Sequence, residues 1–304
     1  MVKNIFNILV IMLLVVAAAG RGAESPLPCV PNAPTSWSVQ DTTKPAKGNK
    51  RKDNQASKRI KKVTFENFDQ CYERAMKFYD NRQYLSAATL FEELYPLSLG
   101  TPRADTILYR FAECYYNNKD YNMAAFHFRD YVRRYPNTDK TEDAYYYCIS
   151  AISKTSPDYS LDQSSTQYAI DEIKAFLLAY PNNAHMEECN VMLDDLRLKL
   201  ARKDLEVLKL YYNTDHYEAC QIAAKNFFNE YSYSPLMPEA VYYLVLNNYE
   251  YAKRSVERKQ QERYKACLEA CDRMERDYKD TKYFKETEKI AKEARKHIVE
   301  TQNN

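Results

Sequence analysis

Glycine is almost missing from this chain. There are four in 304 residues, at positions 20, 22, 48 and 100. A phosphate-cradling loop needs several glycines so that backbone N–H groups can approach the ligand. With Gly100 alone beyond residue 48, neither a P-loop nor a dinucleotide fingerprint can be written. Tight hairpins favour glycine as well, so a sheet-rich fold is disfavoured and the body is expected to be all-α. Histidine is also scarce: His127, His185, His216 and His297 lie far apart, and no HExxH occurs. No Gly-x-Ser-x-Gly occurs either. The paired acids Glu92-Glu93, Glu187-Glu188 and Asp194-Asp195 are adjacent on expected helices and point apart, so they are no acid–base couple. A net charge of +2, from 44 basic and 42 acidic residues, gives no global case for nucleic acid. The chain reads as a non-enzyme without catalytic, cofactor-binding or metal residues.

Long apolar runs are lacking too. The stretch Ile5–Ala19 is short of the roughly 20 residues a spanning helix needs. Preceded by Lys3 and followed by small residues up to Gly20, it reads as a signal peptide over 1–20, removed on export. A lipoprotein signal places a cysteine directly after such small residues. Here Arg21 stands there, and Cys29 follows Leu27-Pro28, so these residues do not support a lipid anchor; export with cleavage is the expectation, and an uncleaved anchor the alternative. Residues 21–64 read as a disordered basic linker. Five of the twelve prolines fall between Pro26 and Pro45, and Lys44 to Lys62 holds nine basic residues against Asp53 alone. Contact of 44–62 with anionic lipid head groups is the sharper expectation for that segment.

What is present in excess is tyrosine, 28 residues, in a recurring frame. Five stretches align: Tyr84-x2-Ala87-x3-Phe91, Tyr121-x2-Ala124-x3-Phe128, Thr166-x2-Ala169-x3-Ile173, Tyr217-x2-Cys220-x3-Ala224 and Tyr264-x2-Cys267-x3-Cys271. Three residues on, each adds an apolar side chain: Leu94, Tyr131, Phe176, Phe227 and Met274. This spacing lines one helical face. A small residue mid-helix lets a partner helix approach, and a large one a turn later fills the space beside it. Pro136 and Pro181 then end the second helix of their units. The pattern matches the tetratricopeptide repeat, with units wider than the usual length of about 34 residues. Two insertions account for part of the excess: a loop over 155–166, and one long helix over 186–212 that contains neither glycine nor proline. Lys282 to Thr301 reads as a capping helix with a polar outer face, which solenoid ends require.

Cys71, Cys114, Cys148, Cys189, Cys220, Cys267 and Cys271 fall at core-like helical positions and are expected to be mostly free thiols. Half a metal site at Cys267-x3-Cys271 is the alternative for that pair. The mixed-charge stretch from Lys253 to Arg263 suits either a solvated connection or an acidic partner surface. Tyrosines on a solenoid face suit peptide binding.

Further residues narrow the choice. Leu161-Asp162-Gln163-x2-Thr166, Phe176-x3-Tyr180-Pro181, and Leu196-x-Leu198-Lys199-Leu200-Ala201-x-Lys203 leading to Leu210-Tyr211-Tyr212 resemble the BamD family. These are tetratricopeptide components of the outer-membrane β-barrel assembly machinery, and the likeness is to the version found in Bacteroidetes. Glu239-Ala240, Ala252-x2-Ser255 and Lys259-Gln260-x2-Arg263 are similar to that version too.

The resemblance implies a five-repeat helical adaptor at the periplasmic face of the outer membrane. Repeats over 65–181 would receive unfolded outer-membrane proteins, with Leu161, Asp162, Gln163, Thr166, Tyr109 and Tyr146 as the substrate-side residues. Repeats and cap over 182–302 would dock the periplasmic domain of the barrel-inserting outer-membrane protein, with Arg254, Ser255, Arg258, Lys259 and Arg263 as contacts. A second class is a periplasmic tetratricopeptide coordinator of peptidoglycan or division machinery. Such proteins often carry an N-terminal coiled coil, and residues 21–64 show no heptads.

Overall fold

Each stretch aligned above sits on the second helix of a pair. A computed structural model describes residues 62–303, with side chains to 298. The linker and signal-peptide expectations for 1–61 lie outside the described residues. After a short 3₁₀ turn at Phe65–Asn67, the helices are α1 (Phe68–Asp80), α2 (Tyr84–Ser98), α3 (Ala104–Asn117) and α4 (Tyr121–Arg134). Then come α5 (Thr141–Thr155), α6 (Ser164–Ala179), α7 (Met186–Asn213) and α8 (Tyr217–Glu230). The last three are α9 (Met237–Lys253), α10 (Glu257–Asp277) and α11 (Phe284–Asn303). Five helix pairs and a terminal helix make an all-α, tetratricopeptide-like solenoid. Consecutive helices pack side by side, and the first helices of successive units also touch, α3 on α5, α5 on α7, α7 on α9 and α9 on α11. The first helices thus form one continuous layer.

The small residue of the frame explains the pairing. Ala87, Ala124, Ala169, Cys220 and Cys267 are all fully buried, as are Phe91, Phe128 and Ile173 one turn on. In the last two units cysteine replaces alanine, and its thiol donates to the facing helix: Cys220 to the Leu208 carbonyl and Cys267 to that of Val245, both at 3.7 Å. Cys148 donates likewise to the Ala125 carbonyl at 3.4 Å. Burial pushes the Cys114, Cys148 and Cys220 thiols up to about 12, so they are inert hydrophobes with a weak donor. The seven cysteines among the described residues are free thiols.

Three hydrophobic clusters run along the solenoid. One spans Val63 to Leu196, a second Ala201 to Ala240 and a third Val245 to Ala294. Val63 is itself buried, with its N–H donating to the Glu93 carboxylate at 3.1 Å. The long helix α7 hands over between the first two clusters. Its first half buries Cys189, Leu193 and Leu196, its second Ala201, Leu205 and Leu208, so the buried stripe rotates by about a third of a turn at 100° per residue.

Three units turn from first helix to second without glycine. Arg82, Lys119 and Asp215 adopt φ of 60°, 64° and 59°. The bonding repeats around each, as in Asn118 N–H to Cys114 O, Lys119 N–H to Tyr116 O and Asp120 N–H to Tyr115 O, which satisfies the helix's last carbonyls. A side chain in this region is strained. Gly100, at φ 81° between α2 and α3, is the one described position where glycine supplies the turn. The connections of the third and fifth units, 156–163 and 254–256, depart from this form.

Two expectations follow. Lys119→Gly relieves the left-handed strain at the cost of a looser unfolded chain, and should stabilise by about 0.5–1 kcal/mol in urea unfolding. His127 packs 4.3 Å from Phe111 and is stacked on Tyr115 at 5.3 Å, with a buried Nε2 that lacks a hydrogen-bond partner. Burial lowers its pKa from 6.5, with Asp130 and Asp120 opposing. A base depressed in the folded state costs nothing while neutral in both states. Stability should therefore be full above about pH 6.5 and fall as pH drops from there toward the lower folded value. His127→Phe should flatten that slope in denaturant titrations between pH 7.5 and 5.

Candidate partner-binding surface

The two departures from the regular turn are where the expected contacts lie. In the third unit, residues 156–163 form a loop stitched by its own side chains. Gln163 donates through Nε2 to the Asp158 carbonyl at 2.7 Å and that of Leu161 at 3.1 Å. Thr166, fully buried, donates to Gln163 Oε1 at 2.8 Å and lies 2.7 Å from Ser156 Oγ. Asp162 accepts from the Ser164 N–H at 3.0 Å, opening α6, and bonds from Ser164 hold its carboxyl below the usual range. Gln163 and Thr166 therefore build the loop from inside. Leu161 and Asp162 are the exposed members, Leu161 with 59% of its surface accessible.

Sequence reasoning quoted Lys199 and Lys203 but gave them no role. Lys199 Nζ donates to the Ser156 carbonyl at 3.2 Å and to its Oγ at 2.7 Å, and Lys203 Nζ donates to the Leu161 carbonyl at 2.6 Å. One turn of α7 thus clamps the loop, at the point where its buried stripe changes face. The readable signal was the i,i+4 pair of lysines on the long helix.

Tyr109 requires a correction. It is 7% exposed, edge-on to Phe128 and Tyr131 at 5.6 and 5.4 Å, so its ring offers no surface to a peptide. It lies on the side of α3 that faces α4, beside Leu108. Tyr146 is half-buried and stacks on His185 at 3.8 Å, while His185 Nε2 lies 3.2 Å from Asp143 Oδ1. Tyr116, Tyr147 and Tyr146 follow one another along the first-helix layer, 5.1 and 5.4 Å between rings. All three of Tyr145, Tyr146 and Tyr147 are half-buried.

In the fifth unit, Arg254, Ser255 and Arg263 come together, but toward the protein itself. The Arg263 guanidinium lies 3.5 Å from the Tyr251 ring centre and donates to Ser255 Oγ and, at 2.6 Å, to Tyr251 Oη. Tyr251 stacks on Tyr217 at 5.2 Å and donates to Glu218. Arg254 Nη1 meets Asp215 Oδ2 at 2.7 Å, beside the same Tyr217. Gln260 Nε2 donates to the Ser255 carbonyl at 2.9 Å. This network ties α8, α9 and α10. Arg258 and Lys259 are exposed, and their side chains meet no polar partner among the described residues. They flank Val256, 64% exposed. Of the five expected contacts, Arg258 and Lys259 are the cations still open to a partner.

A family model described as "YfiO: Outer membrane lipoprotein" matches residues 66–220. The chain belongs to this YfiO family. The match covers the first three helix pairs, all of α7 and the start of α8, so it includes the loop at 156–163 and its lysine clamp. It supports the BamD-like resemblance read from 161–212, and it ends before the Arg254–Arg263 network. No curated protein matches the chain. Among solved structures, yeast histone chaperone Hif1, titled a scaffold protein recruiting protein complexes to core histones, is 12% identical. The alignment covers 78% of this chain and 96% of that one at a TM-score of 0.26, too loose a superposition to support any inference. No helix among the described residues is long and apolar enough to cross a membrane.

The two kinds of residue in the fifth unit separate in one measurement. Arg263→Ala removes a stacked, hydrogen-bonded guanidinium and should cost about 1–2 kcal/mol in urea unfolding. Arg258→Ala, on the open face, should stay within about 0.5 kcal/mol of the parent.

Proposed function

We propose that this YfiO-family chain is a non-enzymatic adaptor of the outer-membrane β-barrel assembly machinery, of the version found in Bacteroidetes. The C-terminal repeats and cap, 182–302, dock a periplasmic domain of the barrel-inserting outer-membrane protein. The N-terminal repeats, 65–181, receive unfolded outer-membrane proteins, and the chain works at the periplasmic face of the outer membrane. The observation that carries this reading is the family match over 66–220, which spans three of the five helix pairs and the helix that joins them to the rest.

The geometry adds support. Tyr116, Tyr147 and Tyr146 give the N-terminal repeats adjoining, half-buried rings, which offer contact area at low entropy cost. Docking in the C-terminal part falls to the edge formed by Val256, Arg258 and Lys259, an apolar side chain beside two cations. That suits an acidic surface with an apolar centre. Arg254, Ser255 and Arg263 hold the edge in position.

Affinity capture from gently solubilised cell envelopes, read by mass spectrometry, tests the proposal. Recovery of a large outer-membrane barrel protein with periplasmic domains is the expected result. Peptidoglycan or division proteins in its place would favour the coordinator class. Arg258→Glu with Lys259→Glu should lower recovery of the barrel protein about fivefold or more while leaving the melting temperature in place. Unchanged recovery would remove this edge from the interface.

A further inference from the structure

The outermost helix carries an arrangement that the adaptor reading does not use. On α11 the side buried against the rest of the chain is Thr287, Ile290, Ala291 and Ala294. At 100° per residue, the four positions opposite that side among residues 284–298, whose side chains are described, are 285, 289, 292 and 296, all within about 40° of one line. Each of the four is lysine, and each is exposed. A solvated cap needs only a polar outer face and ordinarily mixes both signs of charge. Here acids are excluded from the outward line.

The acids of α11 lie to the sides of the line, two facing the rest of the protein and one facing the row. Glu293 accepts from Tyr249 Oη at 2.8 Å. Glu286 faces Tyr242 and, after burial, helps hold that phenol above its usual range. Glu288 pairs with Lys292 at 2.9 Å. Lys285, Lys289 and Lys296 have no such partner among the described residues. Their charge is therefore uncompensated, along a row of roughly 16 Å at 1.5 Å per residue.

We propose that this lysine row is a contact surface for the anionic head groups of a lipid bilayer. A flat surface touches only a narrow strip of a helix. It meets the lysines first, with Glu286 and Glu293 toward the sides and Glu288 engaged by Lys292, whereas a protein groove would wrap far enough round to meet the glutamates. Lysine, a hydrated point charge, suits head groups that present no fixed geometry, where bidentate recognition would call for arginine. No large apolar side chain lies in the row, so the contact is electrostatic and reversible by salt. The outer-membrane family places a bilayer within reach. The proposal rests on that membership and not on the adaptor reading.

The test uses the full chain with vesicles of phosphatidylcholine, with and without about one-third phosphatidylglycerol. Acetylation footprinting by mass spectrometry should show Lys285, Lys289, Lys292 and Lys296 protected by the anionic vesicles only, while exposed Lys225 on α8 is not. The variant Lys285→Gln, Lys289→Gln, Lys296→Gln keeps residues 44–62 intact. At about fivefold per lysine, it should lose about a hundredfold in partition onto anionic vesicles, with an unchanged melting temperature. Binding without protection of the row would overturn the proposal, as would no binding at all. Protection by an acidic polypeptide but not by vesicles would assign the row to a protein partner and overturn it equally.

Discussion

Close approach of paired helices at one small residue is the contact on which this solenoid depends. At positions 87, 124, 169, 220 and 267 the side chain is alanine or cysteine and fully buried, so the facing backbone comes near enough for a thiol to reach its carbonyl. Larger groups a turn away, Phe91, Phe128 and Ile173, then fill the space beside the contact. Dispersion in such a close-packed seam is individually weak and collectively large. Because every unit repeats the seam, the first helices fall into one layer, and whatever they expose forms a continuous face.

The helix α7 decides how the units of the family-matched part meet the rest. A helix of 28 residues cannot bend freely, so the cluster it leaves and the cluster it joins are held in a fixed relation. Its buried stripe rotates between Leu196 and Ala201, and at that place Lys199 and Lys203 fasten the long loop of the third unit. The irregular connection is thus tied to the most rigid element available. In the fifth unit a different device serves the same end, an arginine laid over a tyrosine and bonded into the turn.

Charge is sorted along the C-terminal part. Arg254 and Arg263 are committed to Asp215, Ser255 and Tyr251, and Glu293 and Glu288 of α11 to Tyr249 and Lys292. The cations left over, Arg258 and Lys259 on one edge and Lys285, Lys289 and Lys296 on α11, lie on outward surfaces. Surface ion pairs of this kind contribute little to stability. What they do is decide which charges face outward.

The repeat frame was legible in the residues alone because helical periodicity is a local property: a small residue, a large one a turn on and a proline stop fix the helix and its buried face. The long helix over 186–212 and the core thiols were legible for the same reason. Tyr109 was not, since a tyrosine beside Leu108 can turn inward or outward, and only the neighbouring helix α4 settles it. Nor was the division of labour among Arg254, Ser255, Arg258, Lys259 and Arg263. Five polar residues in one stretch look equivalent in sequence, and what separates them is how they meet Asp215, Tyr217 and Tyr251 across the α7–α8 turn, α8 and α9. Sequence determined which faces are buried, because burial follows a period written in the chain. Tertiary structure decided which exposed charges are already spoken for, because partners such as Asp215 for Arg254 and Tyr251 for Arg263 sit on neighbouring elements and meet them only when the helices stack.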